Sequence, residues 1–259
     1  MRSKMKNKSE LPPLAMSRFE DIKELLAEVE TISSTMIAAY EDAKKDRTVL
    51  QISRVKVKSA LEHLRSILDY CAVDVYMHVY GSKPGKIYFP YAKNEALFNK
   101  HLASSFKALR QKHPKLYDLM ASIQPHISNS NWLVELCGYT NTNKHNNLTP
   151  QVKKSIDSVT IGNLVKVSGN STVTFVNSTV NGVQIGKNSS TPVTISDAMT
   201  DEEIASQLNP DNPYIPITRI AEDVKFFIDG SSNDALAFID DAKDRVSEFV
   251  GRLYAELNR

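Results

Sequence analysis

Glycine is scarce in this chain, with nine in 259 residues, about half the usual share. That scarcity argues against a turn-rich all-β fold and for helices. Cysteine is scarcer still: Cys71 and Cys137 are the only two. They form no Cys-x-x-Cys pair, which makes a poor zinc signal. Both sit within apolar helical runs and read as small buried hydrophobes. No run is long and apolar enough to span a bilayer. The first nine residues carry Arg2, Lys4, Lys6 and Lys8 but lack the apolar core of a signal peptide. The expectation is a cytoplasmic protein with reduced thiols and no membrane contact. An excess of one charge is also missing. The formal net charge is +2, so contact with phosphate would need a local patch. There is no Walker loop, no Gly-x-Gly-x-x-Gly, no serine elbow and no His-x-x-x-His. The histidines at 63, 78, 101, 113, 126 and 145 show no metal-ligand spacing. No cofactor and no metal is called for.

What is present is an ordinary globular composition, 41% apolar and 24% charged. Residues 1–15 read as a basic, flexible arm ending at Pro12-Pro13. Ser17 and Glu20 have the spacing of a capping box. From Phe19 through Ile22, Leu26, Val29, Ile32 and Met36 to Tyr40, apolar residues recur at helical spacing. A second helix is expected over about 48–80, ended by Gly81-Ser82-Lys83-Pro84-Gly85. Shorter helices are expected at about 93–111, 114–124 and 131–143. After Pro150 the composition changes: from Ser158 to Ser196 there is no acidic residue, and Lys166 and Lys187 are the only basic ones. Alternation at 172–176, and Asn181-Gly182 before Val183-Gln184-Ile185, predict a β-hairpin. Thr200-Asp201-Glu202-Glu203 marks a short helix, 215–228 a strand, and 233–257 a closing amphipathic helix. The expected class is α+β: mainly an α-helical bundle with a small inserted antiparallel β-sheet. Its bundle spans 16–150, its β-rich insert and loop 151–230, and its C-terminal helix, packed back on the bundle, 231–259.

Two polar clusters could carry chemistry. Arg65 and Asp69 stand four apart on one helix face, beside the stripe of Leu61, Leu64 and Leu68. They are either an exposed ion pair or a partly buried pair that needs further partners. Asn141, Lys144 and His145 close an apolar helix. They read either as a polar C-cap or as a site where His145 titrates near neutrality and Lys144 steadies an anion. Both clusters are expected to share one buried site.

Four motifs follow in order over about residues 45–150: Leu64-Arg65-Ser66-Ile67-Leu68-Asp69, Tyr88-Phe89-Pro90, Gln124-Pro125, and Asn141-Thr142-Asn143-Lys144-His145. This series resembles a widespread group of uncharacterised bacterial proteins, in which the last motif tends to have Asp where this chain has Asn143. That group is in turn similar to the HEPN superfamily, helical bundles found in bacterial toxin and antiviral defence systems. The resemblance implies a HEPN-like bundle. Many HEPN proteins are metal-independent RNases that pair an arginine with a histidine four to six residues on, joined across a dimer. Here the position five before His145 is Thr140, and no arginine occurs from Gln111 to Thr218. Arg65 or Lys144 would have to take its place.

Two functions are therefore expected. One is a binding, sensor or interaction protein of a defence or toxin module. It would use a buried polar network and an uncharged β-rich surface at 158–196 that meets a protein partner. The alternative is a metal-independent ribonuclease in which His145 moves the proton, Lys144 and Arg65 stabilise charge, and Asn141 and Asp69 orient. A homo-oligomer fits both, and RNA is the partner under the second. The missing arginine and the uncharged insert favour the first.

Overall fold

The computed structural model describes residues 14–46, 48–145, 148, 150–162, 164–180, 183–188, 190–208, 216–228 and 230–259, with backbone only at 14–17, 143–145, 180 and 183. In chain order the helices α1 (Leu14–Lys45), α2 (Arg54–Tyr80), α3 (Glu95–Ser105), α4 (Leu109–Lys112), α5 (Pro114–Ser122), α6 (Pro125–Ser128) and α7 (Trp132–His145) come first. Strands β1 (Gln151–Ile161), β2 (Val165–Ser168), β3 (Thr172–Phe175), β4 (Thr179–Val180), β5 (Val183–Gln184) and β6 (Val193–Ser196) follow. Then come α8 (Asp201–Leu208), β7 (Ile217–Ile228) and α9 (Ala235–Leu257). The chain is thus mixed α+β, mainly helical, with small antiparallel sheets. Among the described residues no helix is long and apolar enough to cross a membrane.

Contacts divide the chain into two units: residues 1–35, 53–150 and 235–259, and residues 36–52 and 151–234. In the first, helical unit, α2 packs against α9 and α7. Leu61, Leu64, Leu68, Cys71 and Val75 of α2 are buried, as is the stripe of Ile239, Val246, Phe249 and Leu253 on α9. Both cysteines are buried, and they are not bonded to each other. One charge is buried with this core. Asp74 of α2 accepts from Arg18 at 2.6 Å and from the Tyr254 hydroxyl. Burial pushes both the carboxyl and the phenol above their usual ranges, and the two donors pull the carboxyl back down.

Several boundaries differ from the sequence expectation for local reasons. The first helix begins at Leu14, three residues before Ser17, directly after the two prolines. Residues 1–13, most of the expected basic arm, lie outside the described residues. The second starts at Arg54 rather than 48. Asp46 takes the amide and hydroxyl of Thr48 at 2.8 and 2.6 Å, and Ser53 caps the Lys56 amide. It ends where expected, on Gly81 at φ +65°, whose amide bonds back to Met77. The 93–111 helix is two pieces, because Ala108 sits at φ +60° between α3 and α4.

In the second unit β1 and β7 form a long antiparallel ribbon, Gln151 opposite Ile228 and Ile161 opposite Ile217, bulged at Ile156/Asp157. Strand β2 joins the other side of β1. The expected hairpin is corrected: β3 pairs not with the segment at 183–185 but with β6, Thr172 opposite Ser196. Asn177 at φ +46° turns the chain after β3. Val173 and Phe175 then pack with Ile195 and Val193 on a small core that includes Val159, Ile161 and Ile204. The Asn181-Gly182 turn lies outside the described residues, between the two-residue strands β4 and β5. Residues 36–52 cluster with this unit rather than with the helices. The Tyr40 hydroxyl donates to Asp234 at 2.9 Å, and Lys153 donates to the carbonyls of Ala43 and Val49 at 3.1 and 2.8 Å.

Candidate functional site

The extended stretch Phe89–Ala92 crosses the helical unit between α2 and the α5–α6 corner, and side chains satisfy its main chain. Asp69 accepts the Phe89 amide at 2.8 Å, and Arg65 donates to the Phe89 carbonyl at 3.3 Å. From the other side the amide nitrogen of buried Gln124 donates to the Pro90 carbonyl at 3.0 Å, and its oxygen accepts the Ala92 amide at 3.1 Å. His101 meets the Tyr91 carbonyl through Nδ1 at 3.0 Å. A segment without strand partners must place its polar groups somewhere. Here four side chains from three helical regions take that part. Phe89 itself is buried, edge-on to Phe249 at 5.4 Å.

Arg65 is anchored in several directions. One nitrogen donates to Cys137 Sγ, and another lies 3.3 Å from Asp69 as well as bonding Phe89. The guanidinium rests 4.9 Å from the centre of the Tyr91 ring. Its side chain is 11% exposed and that of Asp69 is 22% exposed, so the pair is neither sealed in the core nor on the surface. Asn141, on the last turns of α7 and exposed, donates to the Tyr91 hydroxyl at 3.1 Å. These groups line a cleft of about 450 Å³ that also takes in Lys86, Tyr88 and Ser104.

Arg65, Asp69 and Asn141 therefore do line one cleft, with Arg65 and Asn141 both meeting Tyr91. The site they share is an open cleft rather than the buried one expected. Lys144 and His145 belong to α7 by backbone, and their side chains lie outside the described residues. The residues that reading by spacing left out are Tyr91, His101 and Gln124. Gln124-Pro125 and Tyr88-Phe89-Pro90 had marked the neighbourhood as motifs, but nothing local showed that one holds the other. Among the described residues no group of three or more His, Cys, Asp or Glu is placed to hold a metal ion. With this geometry the chain defines a class only: an α+β protein whose helical unit clamps one extended segment beneath a polar cleft. Comparison with family models, with curated proteins and with solved structures gives no match.

Proposed function

We propose that this chain is a HEPN-like bacterial binding or sensor protein of a defence or toxin module. It acts through the Arg65 network and its cleft, together with a β-rich contact surface. One observation carries the reading: Arg65 is engaged with Cys137, Phe89, Asp69 and the Tyr91 ring. A guanidinium that stabilises a phosphorane has to present its donors to the substrate. Here two of its nitrogens face protein partners. The β-rich unit supports the same view: within its uncharged 158–196 segment, Leu164 is 39% and Val176 64% exposed.

The ribonuclease alternative rests on one fact, that Arg65, Asp69 and Asn141 line a single cleft at the end of the helix that carries Lys144 and His145. Incubating labelled total RNA in EDTA with wild type and His145→Ala separates the two. A folded wild type that leaves RNA intact over a range of pH and salt is the expected result. Metal-independent cutting that disappears in His145→Ala would replace the binding protein with the enzyme.

A further inference from the structure

We infer that the helical unit carries a docking groove for an acidic peptide segment of a partner protein, running from the Arg65 cleft past the C-terminal end of α3. The inference rests on the binding reading above and gives that site a partner of stated chemistry.

Charge is the first ground. The whole chain is close to neutral at +2, yet between Tyr76 and Tyr117 eight lysines and arginines face a single acid, Glu95. Three of the eight, Lys86, Lys107 and Lys112, line a groove. The cleft of about 450 Å³ and a neighbouring hollow of about 550 Å³ share Ser104 and Ser105. Lys86 lines one end, and Lys107 and Lys112 line the other. Asp69 is the one acidic group lining either hollow among the described residues, and it is tied to Arg65 and the Phe89 amide.

The second ground is that the cations are already placed. Lys86 Nζ sits 5.4 Å from the centre of the Tyr88 ring, and Lys112 Nζ sits 4.5 Å from that of Tyr80. An ammonium held on a ring face keeps its charge and has less rotamer freedom to lose when an anion arrives.

The same pairs favour a peptide over a nucleic-acid strand. Readers of single strands offer open aromatic faces on which bases stack. Here Tyr80 is packed by Tyr76 at 4.6 Å and by Lys112, and Tyr91 carries Arg65. The rings hold the protein's own cations, which leaves charge and hydrogen bonding as the means of recognition. Exposed Asn141 adds an amide to the cleft, a group that pairs with peptide N–H and C=O. Carboxylates spaced along an extended peptide meet cations at the two ends of the groove.

The test is fluorescence anisotropy on the full chain with two labelled probes, a ten-residue peptide of alternating glutamate and serine and a ten-nucleotide oligouridylate. The expected result is salt-sensitive binding of the peptide, stronger than that of the oligonucleotide. Lys86→Ala/Lys112→Ala should weaken it about tenfold, while Lys225→Ala in the other unit leaves it unchanged. Both substituted lysines are exposed, so the variant should fold, and circular dichroism is the check. No peptide binding, or tighter oligonucleotide binding that responds to the same lysines, would overturn the inference. RNA cutting in EDTA would instead remove the binding reading beneath it, so the two failures are distinguishable.

Discussion

Gln124 has both ends of its amide occupied in the core, accepting from Ala92 and donating to Pro90 and to Met120 at 3.2 Å. Truncating it to alanine leaves a buried N–H and a buried carbonyl without partners. Each such group costs about 1–3 kcal/mol. Gln124→Ala should therefore lower the urea midpoint by the equivalent of at least about 2 kcal/mol. Gln124→Glu should also destabilise, because a carboxylate cannot donate to Pro90. A second residue sets a pH dependence. Burial holds the His78 imidazole below its usual value, and neighbouring His113 adds to this, while Glu256 opposes it. The folded state then binds fewer protons than the unfolded one below the ordinary histidine range. Stability is full above pH ~6.5 and is lost as pH falls through that value toward the lowered folded one. Melting temperatures from pH 7.5 to 5.5 should fall more steeply for wild type than for His78→Gln.

At the scale of elements, the signals that could be read from the sequence were the local ones. Thr200 and Glu203 form the reciprocal cap their spacing announces: Glu203 accepts the Thr200 amide at 2.7 Å, and Thr200 accepts the Glu203 amide at 3.2 Å. Thr200→Ala should cost about 1 kcal/mol, measured on the β-rich unit by chemical denaturation. Gly81 stops α2 for an equally local reason. The β3–β6 pairing was not legible, because it joins residues 172–175 to 193–196 across a complete inner hairpin. Nothing in the spacing of Val173 and Phe175 says which strand answers them. The break at Ala108 was hidden for the opposite reason: alanine is a good helix former, and only its tertiary setting holds it at φ +60°. Gly186 is a backbone requirement that composition alone conceals. It sits at φ +83°, and an added Cβ would come within 2.6 Å of Val193. Gly186→Ala should destabilise the β-rich unit by more than about 1 kcal/mol, visible in the same denaturation.

For the whole molecule, the α+β class and the change of character after Pro150 were legible, whereas the division of the first 52 residues was not. The apolar stripe of α1 runs unbroken from Ile22 to Tyr40, so periodicity gives no reason to assign Met36–Ile52 to the β-rich unit. That assignment comes from Tyr40 and from the reach of Lys153, partners more than a hundred residues away in sequence. The candidate site was half legible. Arg65, Asp69 and Asn141 were found by residue type and spacing, and they do meet. What they meet around, the Phe89–Ala92 segment, has no pattern of its own, because its conformation is fixed by side chains from elsewhere. The central claim is that Arg65 holds this segment in place rather than awaiting a substrate. Urea unfolding of Arg65→Met beside wild type, followed by Trp132, tests it most directly. Trp132 is the single tryptophan and is buried in the helical unit, so its fluorescence reports on that unit. The clamp predicts a loss of about 2 kcal/mol, from an unpaired Phe89 carbonyl and the lost ion pair with Asp69, which keeps the Phe89 amide. Unchanged or increased stability, the behaviour of a residue kept for chemistry at a cost to the fold, would contradict it.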